Sequence, residues 1–271
     1  MEAVRALATL SQFTSQQWGL VTTAQANGAG VDRVTLLRLT DAALLRPVRR
    51  GVYAAETAPP SPLHETHAVW LSLNPSTPAW LRTGLDPDGG VVSHVSATRV
   101  HEVGDLVADS VDLTVPRRRT SRDPAVRLRF PRNRPLSSED IVLVDGLPVT
   151  GLARTIIDLL DTHTDGSHLA EVIRDGVETD RLDLTTLAPR IGKYASRYGL
   201  RSPDGERLIE HLLGQIGSSI TALAWRFPVQ RTTDSHNSDN AAVSLARTPA
   251  SDPEPRGVPD ARLETQRPEG S

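Results

Sequence analysis

The side chains in this chain best suited to chemistry are arginines, spaced for phosphates and base edges. A guanidinium is a planar fork of donors that matches both groups. Asp32 can cap a helix over 33–43. At about 100° per residue, Leu36, Leu37, Thr40, Ala43 and Leu44 fall on one side of that helix, while Thr35, Arg38 and Ala42 fall on the other. Arg33 lies in its first turn. Arg33, Thr35 and Arg38 are therefore expected to read base edges in a major groove. Arg46, Arg49 and Arg50 follow on two short strands around Arg49-Arg50-Gly51, placed for phosphates or a minor groove. Six arginines face three carboxylates over residues 1–53, in a protein whose formal net charge is −3. Any nucleic-acid footprint is thus local rather than global. The competing reading is a helical unit that docks on a protein, with its arginines on a solvated face.

A second basic stripe runs through Arg117, Arg118, Arg119, Arg122, Arg127, Arg129, Arg132 and Arg134, opposed only by Asp123. It can follow a phosphate backbone, of DNA or of RNA, or serve as a charged edge that keeps sheets apart. Both readings stand. Other groups are weaker signals. His64 and His67 flank Glu65, but HETH is not HExxH and no third ligand is evident, so solvent-facing histidines are expected. Ser93, His94 and Ser96 lack a G-x-S-x-G elbow, and capping by Ser93 with helix packing explains them. Asp158 and Asp161 read as surface carboxylates, with Arg154 and Asp158 an i, i+4 pair. GxGxxG and GxxxxGK[ST] are absent. No enzyme, metal or cofactor is expected.

These arginines need elements to hold them. Residues 3–12 carry a helical stripe of Val4, Leu7, Ala8 and Leu10, with Phe13 and Trp18 to anchor a small core. Thr22 or Thr23 caps a short helix to Asn27, and residues 27–30 form the turn before Asp32. With the hairpin after it, this is the order of a winged helix-turn-helix over 1–55. Residues 56–62 read as a Pro-rich linker. Residues 63–213 mix patterns: a helix at 63–73, strands at 111–115 and 126–130, and a hairpin turning at Asp145-Gly146. A helix at 151–161, capped by Thr150, has Leu152, Ile156, Leu159 and Leu160 inward, and later helices run at about 167–178 and 183–198. From 229 to 271 the chain is polar and Pro-rich and is expected to be disordered. The fold class expected is α+β: an N-terminal winged helix-turn-helix, a mixed α/β C-terminal domain and a tail.

The segment GLVTTAQANGAGVDRVTLLRLTDAALLRPVRRGVYA resembles the N-terminal domain of AbiEi-type antitoxins, from type IV toxin–antitoxin (abortive infection) systems. VVSHVSATRVHEV, VDLTVPRRR and VDGLPVTGLARTIIDLL are similar to the region joined to it in actinobacterial members. The resemblance covers about residues 13–190. It implies that the winged domain represses its own operon by binding inverted repeats in the promoter. It implies further that the C-terminal domain counters a nucleotidyltransferase-type toxin without a stable complex. Two alternatives remain: a protein-binding antitoxin module without specific DNA binding, and an inactive remnant of a Vsr-like nuclease fusion. Such a nuclease needs a carboxylate trio with an E-x-K-like strand around Mg²⁺. Lys193, the only lysine, has no such context, and residues 203–227 are read as the remnant.

Composition narrows the classes. A chain of 271 residues without cysteine has no disulfide, thiol nucleophile or Cys-bound metal, in keeping with a reducing cytosol. No apolar run reaches a membrane span and residues 1–10 lack a signal-peptide shape, so a cytoplasmic protein is expected.

Overall fold

Helix α1 (Ala3–Thr14) opens the computed structural model, which describes residues 3–201 and 203–226. It buries Ala6 and Leu10, while Val4 is 78% exposed, so the inward stripe is rotated from the one expected. Strand β1 (Leu20–Thr22) leads into α2 (Thr23–Gly28). Thr22 and Gln25 exchange a capping box: the Thr22 hydroxyl accepts from the Gln25 amide, and the Gln25 side chain accepts from the Thr22 amide. The turn closes at Gly30, whose φ of +82° disfavours a side chain. Asp32 then caps α3 (Arg33–Asp41), accepting the Thr35 N–H at 2.7 Å. Strands β2 (Leu45–Arg49) and β3 (Val52–Ala55) form the wing, and β3 also pairs with β1 in an antiparallel sheet of order β1-β3-β2. Helix, strand, helix, turn, helix and hairpin make a winged helix-turn-helix. Strand β1 is not legible in the sequence because three residues show no period.

Helix α4 (His64–Leu73) comes next, then β4 (Val91–Val92), α5 (His94–His101), β5 (Val111–Thr114) and β6 (Val126–Arg129). Strands β7 (Ile141–Val144) and β8 (Leu147–Thr150) are a hairpin. It turns at Asp145-Gly146 with both φ angles positive, the type I′ geometry that such a pair favours. These strands form one sheet of order β6-β5-β4-β8-β7. Helices α6 (Leu152–Asp161), α7 (Gly166–Glu178), α8 (Leu184–Ile191), α9 (Gly205–Gly214) and α10 (Ile220–Arg226) complete the described chain, with a 3-10 stretch at Gly192–Tyr198. The class is α+β, as expected.

Three apolar cores organise the elements. Ala6, Leu10, Val21, Leu36, Leu39 and Leu45 fill the winged unit. A middle core joins Leu20, Val52 and Ala54 of the winged unit to Trp70 and Leu71 of α4 and to Leu113, Leu147 and Val149 of the larger sheet. The third packs α6, α7, α8 and α9 together. The segment 203–227, expected to be a remnant, contains α9, which supplies Leu208, Ile209, Leu212 and Leu213, all fully buried. A Cβ at Gly205 would come within 1.9 Å of the Ala188 carbonyl oxygen, so α9 crosses α8 backbone to backbone. The tail expected from 229 onward lies outside the described residues.

Several expectations about polar groups are corrected. His64 and His67 are buried rather than solvent-facing, because α4 lies between the wing and the larger sheet. Asp158 is 5% exposed, held inside by Arg154, whose guanidinium also reaches Asp140. Ser93 stands at the N-cap of α5, as expected, but its side chain makes no cap hydrogen bond. Its hydroxyl lies 2.9 Å from His94 Nδ1 and accepts from Thr114 at 2.8 Å. Thr150 precedes the Gly151 cap and bonds to Thr155 instead.

Candidate nucleic-acid interface

Helix α3 presents a single outward arc. Arg33, Val34, Leu37, Arg38 and Asp41 are exposed, while Thr35, Leu36 and Leu39 are buried. At 100° per residue the exposed five span about 140°, with the two arginines at its margins and Leu37, Asp41 and Val34 between them. Arg33 and Arg38 are where the sequence placed them. Thr35 is not: it is 8% exposed and turned inward, next to Leu36 and Leu39. Its expected contact with bases is corrected, since that side of α3 is buried, where Leu36 and Leu39 join Ala6, Leu10, Val21 and Leu45 in the core of the winged unit. Leu37, expected inside, is 59% exposed. Bonds from Thr35 hold the Asp32 carboxyl below its ordinary range, which keeps the cap charged at the start of α3.

The wing presents one of its three arginines. Pairing shifts register between Pro47 and Arg49, and Arg46 and Arg49 both reach α4. An Arg46 guanidinium nitrogen lies 3.2 Å from His64 Nδ1. The side chain of Arg49 is 15% exposed and bridges Glu65 at 3.2 Å and Asp123 at 2.9 Å. These two were expected on phosphates; they instead fasten the wing, because α4 and the β5–β6 loop offer it nearby acceptors. Arg50 is exposed and has no side-chain partner among the described residues.

The second stripe divides in the same way. Arg117 pairs with Asp88, and Arg119 donates to the Leu73 and Asp88 carbonyls. Arg129, which shares one face of β6 with Arg127, pairs with the buried Asp112 at 2.8 Å. Arg134 reaches Asp161 and Tyr194. Arg118, Arg122, Arg127 and Arg132 are exposed without a side-chain partner among the described residues.

A buried polar network lies between α5 and the larger sheet. His94 adopts a φ of 54° at the start of α5, and burial, with Arg129 and Arg154 nearby, pushes its imidazole down to about 3. Ser96 accepts the Asp112 N–H and donates to the Ser110 carbonyl. His101 Nε2 lies 2.8 Å from the Thr150 carbonyl oxygen, and burial lowers its pKa. Burial raises the Asp158 carboxyl, against the opposing pull of Arg154. Ser96 and His101 tether α5 to the larger sheet, while His94 bonds only to its neighbour Ser93 and Asp158 pairs within α6.

Residues 9–55 match the family model described as "Transcriptional regulator, AbiEi antitoxin". The winged unit is thus similar to the DNA-binding unit that this model describes. The match begins within α1 and ends with β3, so it spans the helix-turn-helix and the wing. No curated protein matches the chain. A likeness of fold is found to the crystal structure of the RV2827C protein from Mycobacterium tuberculosis. It has 15% identity and a TM-score of 0.46 and covers 79% of this chain and 78% of that chain. Among the described residues, no helix is long and apolar enough to cross a membrane.

Val34 and Leu37 are exposed residues of this candidate surface that sequence reasoning missed. Their signal was present in the apolar residues on both sides of α3, more than a small core can absorb.

Proposed function

We propose that this protein is a DNA-binding regulator that represses its own operon through inverted repeats in the promoter. In the same reading it acts as the antitoxin of a type IV system, countering a nucleotidyltransferase-type toxin without forming a stable complex with it. The carrying observation is the exposed arc of α3, where Arg33 and Arg38 flank Leu37 and Val34 beside a wing tipped by Arg50. A helix of that width and charge fits a major groove, with Arg33 and Arg38 on base edges and Arg50 on a phosphate. The AbiEi match over 9–55 supports assigning that role to this unit.

Anisotropy titration of the protein on its own upstream DNA tests the proposal. Replacing Arg33 and Arg38 together by Ala should bring affinity for upstream DNA down to that for random duplex, while Arg50→Ala should weaken both alike and make the salt slope shallower by about one. Unchanged preference for upstream DNA in the double variant would refute the assignment. The exposed apolar pair Val34 and Leu37 also suits a protein surface. A toxin complex that survives purification, from a protein with no DNA affinity at low salt, would favour that second reading.

A further inference from the structure

We infer that the β5–β6 loop is a continuation of the wing, and that Arg118, Arg122 and Arg127 hold the DNA backbone beside the phosphates met by Arg50. This rests on the DNA-binding reading above and adds a second contact region that the family match does not include, since that match ends at residue 55.

The physical link is the Arg49 bridge. Asp123 is the one acid among eight arginines over residues 117–134. Its Oδ2 takes the Arg49 guanidinium at 2.9 Å, while its Oδ1 accepts the Ala125 N–H at 3.0 Å. The Asp123 amide bonds to Ser121 Oγ, and its carbonyl accepts the Val126 N–H. One carboxylate therefore shapes the loop and fastens it to the wing. Arg50 is next to Arg49 in the chain and Arg122 is next to Asp123. The clamp thus joins two stretches of distant sequence that each carry an exposed arginine one residue from it. Arg127 comes shortly after at the start of β6, and Arg118 stands at the other end of the loop.

Charge favours the same conclusion. The clamp of Arg49 with Glu65 and Asp123 carries a net −1, which Arg50, Arg118, Arg122 and Arg127 exceed. Arg117, Arg119, Arg129 and Arg134 are engaged with internal acceptors and are left out. A sheet edge charged only to deter pairing has no need of a salt bridge to the wing. DNA is the occupant favoured over RNA, because the loop is fixed beside the wing.

The test uses the full chain with Arg118, Arg122 and Arg127 replaced together by Ala. Affinity is measured against salt on the upstream duplex, on a random duplex of equal length and on single-stranded RNA. Losing three phosphate contacts should make the log–log salt slope shallower by about 2 to 3 on both duplexes. The ratio between the two duplexes should be kept, and thermal stability should be unchanged. A wild-type slope on both duplexes would overturn the inference, as would a loss confined to RNA. Failure of the underlying reading looks different: the parent protein would then show no preference for upstream DNA at all.

Discussion

His67 sits flat on Trp18, the rings 4.1 Å apart and 7° from parallel, and neither of its ring nitrogens finds a hydrogen-bond partner among the described residues. Burial, reinforced by the neighbouring His64, pushes its pKa from 6.5 down to about 4. Above pH 6.5 the residue is neutral whether the chain is folded or not, and stability does not depend on it. Between 6.5 and about 4 the unfolded chain takes up a proton that the folded chain refuses, so stability falls as pH falls. The full drop is worth about 3 kcal/mol. His94 and His101 are also lowered and act in the same direction. His67→Phe keeps an aromatic ring against Trp18 and removes the titration. Its denaturation midpoint should equal or exceed that of the parent at about pH 7.5, and the gap should widen toward about pH 4.5. A gap that stays constant across that range would show that His67 takes no part in acid lability.

Helix α3 illustrates which parts of the fold and site were legible. Its start was, because capping is local: Asp32 precedes the helix and the Thr35 amide needs an acceptor. Thr22 before α2 and Asp145-Gly146 in the β7–β8 hairpin are legible for the same reason. The facing of α3 was not. Val34, Leu36, Leu37 and Leu39 leave apolar groups almost all round, so period alone does not choose between Thr35 and Leu37 for the inside. Packing into the core shared with Ala6, Leu10, Val21 and Leu45 chooses. The i, i+4 pair of Arg154 with Asp158 was legible, but the Arg49–Asp123 and Arg154–Asp140 contacts were not, since Asp123 lies 74 residues from Arg49 and Asp140 lies 14 from Arg154. The exposed arc has a consequence for base choice. Between two arginines suited to guanine, Leu37 and Val34 offer methyl groups that suit the C5-methyl of thymine. Replacing the contacted thymines in the upstream duplex by uracil should weaken binding by roughly fourfold per lost methyl contact, or about 0.8 kcal/mol. Leu37→Ala should weaken the thymine duplex and become indifferent to the change. Equal sensitivity to uracil in parent and variant would remove Leu37 from the contact.

At the scale of the molecule, the winged unit is welded to α4 and the larger sheet. Trp18 packs its edge on Trp70 with centroids 5.8 Å apart, stacks on His67, and donates its indole N–H to the Asp145 carbonyl at 2.9 Å. Thr22 donates to the Pro75 carbonyl, and Gln17 accepts the Ala79 N–H. Leu20, Val52 and Ala54 lose their apolar cover if the seam opens. The winged unit and the larger sheet should therefore melt as one cooperative step, with calorimetric and van't Hoff enthalpies in agreement. Trp18→Ala removes a half-buried indole and should cost about 2 kcal/mol, below the range for a fully buried one. It should also separate an early transition from the main one. The substitution leaves every arginine in place, so its effect on DNA binding isolates geometry from charge. Arg33 and Arg38 ride on α3 within the winged unit and keep their discrimination between upstream and random duplex. The β5–β6 loop, then tied to the wing by the Arg49 clamp alone, should lose part of its share of the phosphates, and the salt slope should become shallower in the direction of the Arg118, Arg122 and Arg127 variant. A parental slope in a Trp18→Ala protein that melts in two steps would mean that the seam stabilises the fold without aligning the two basic surfaces.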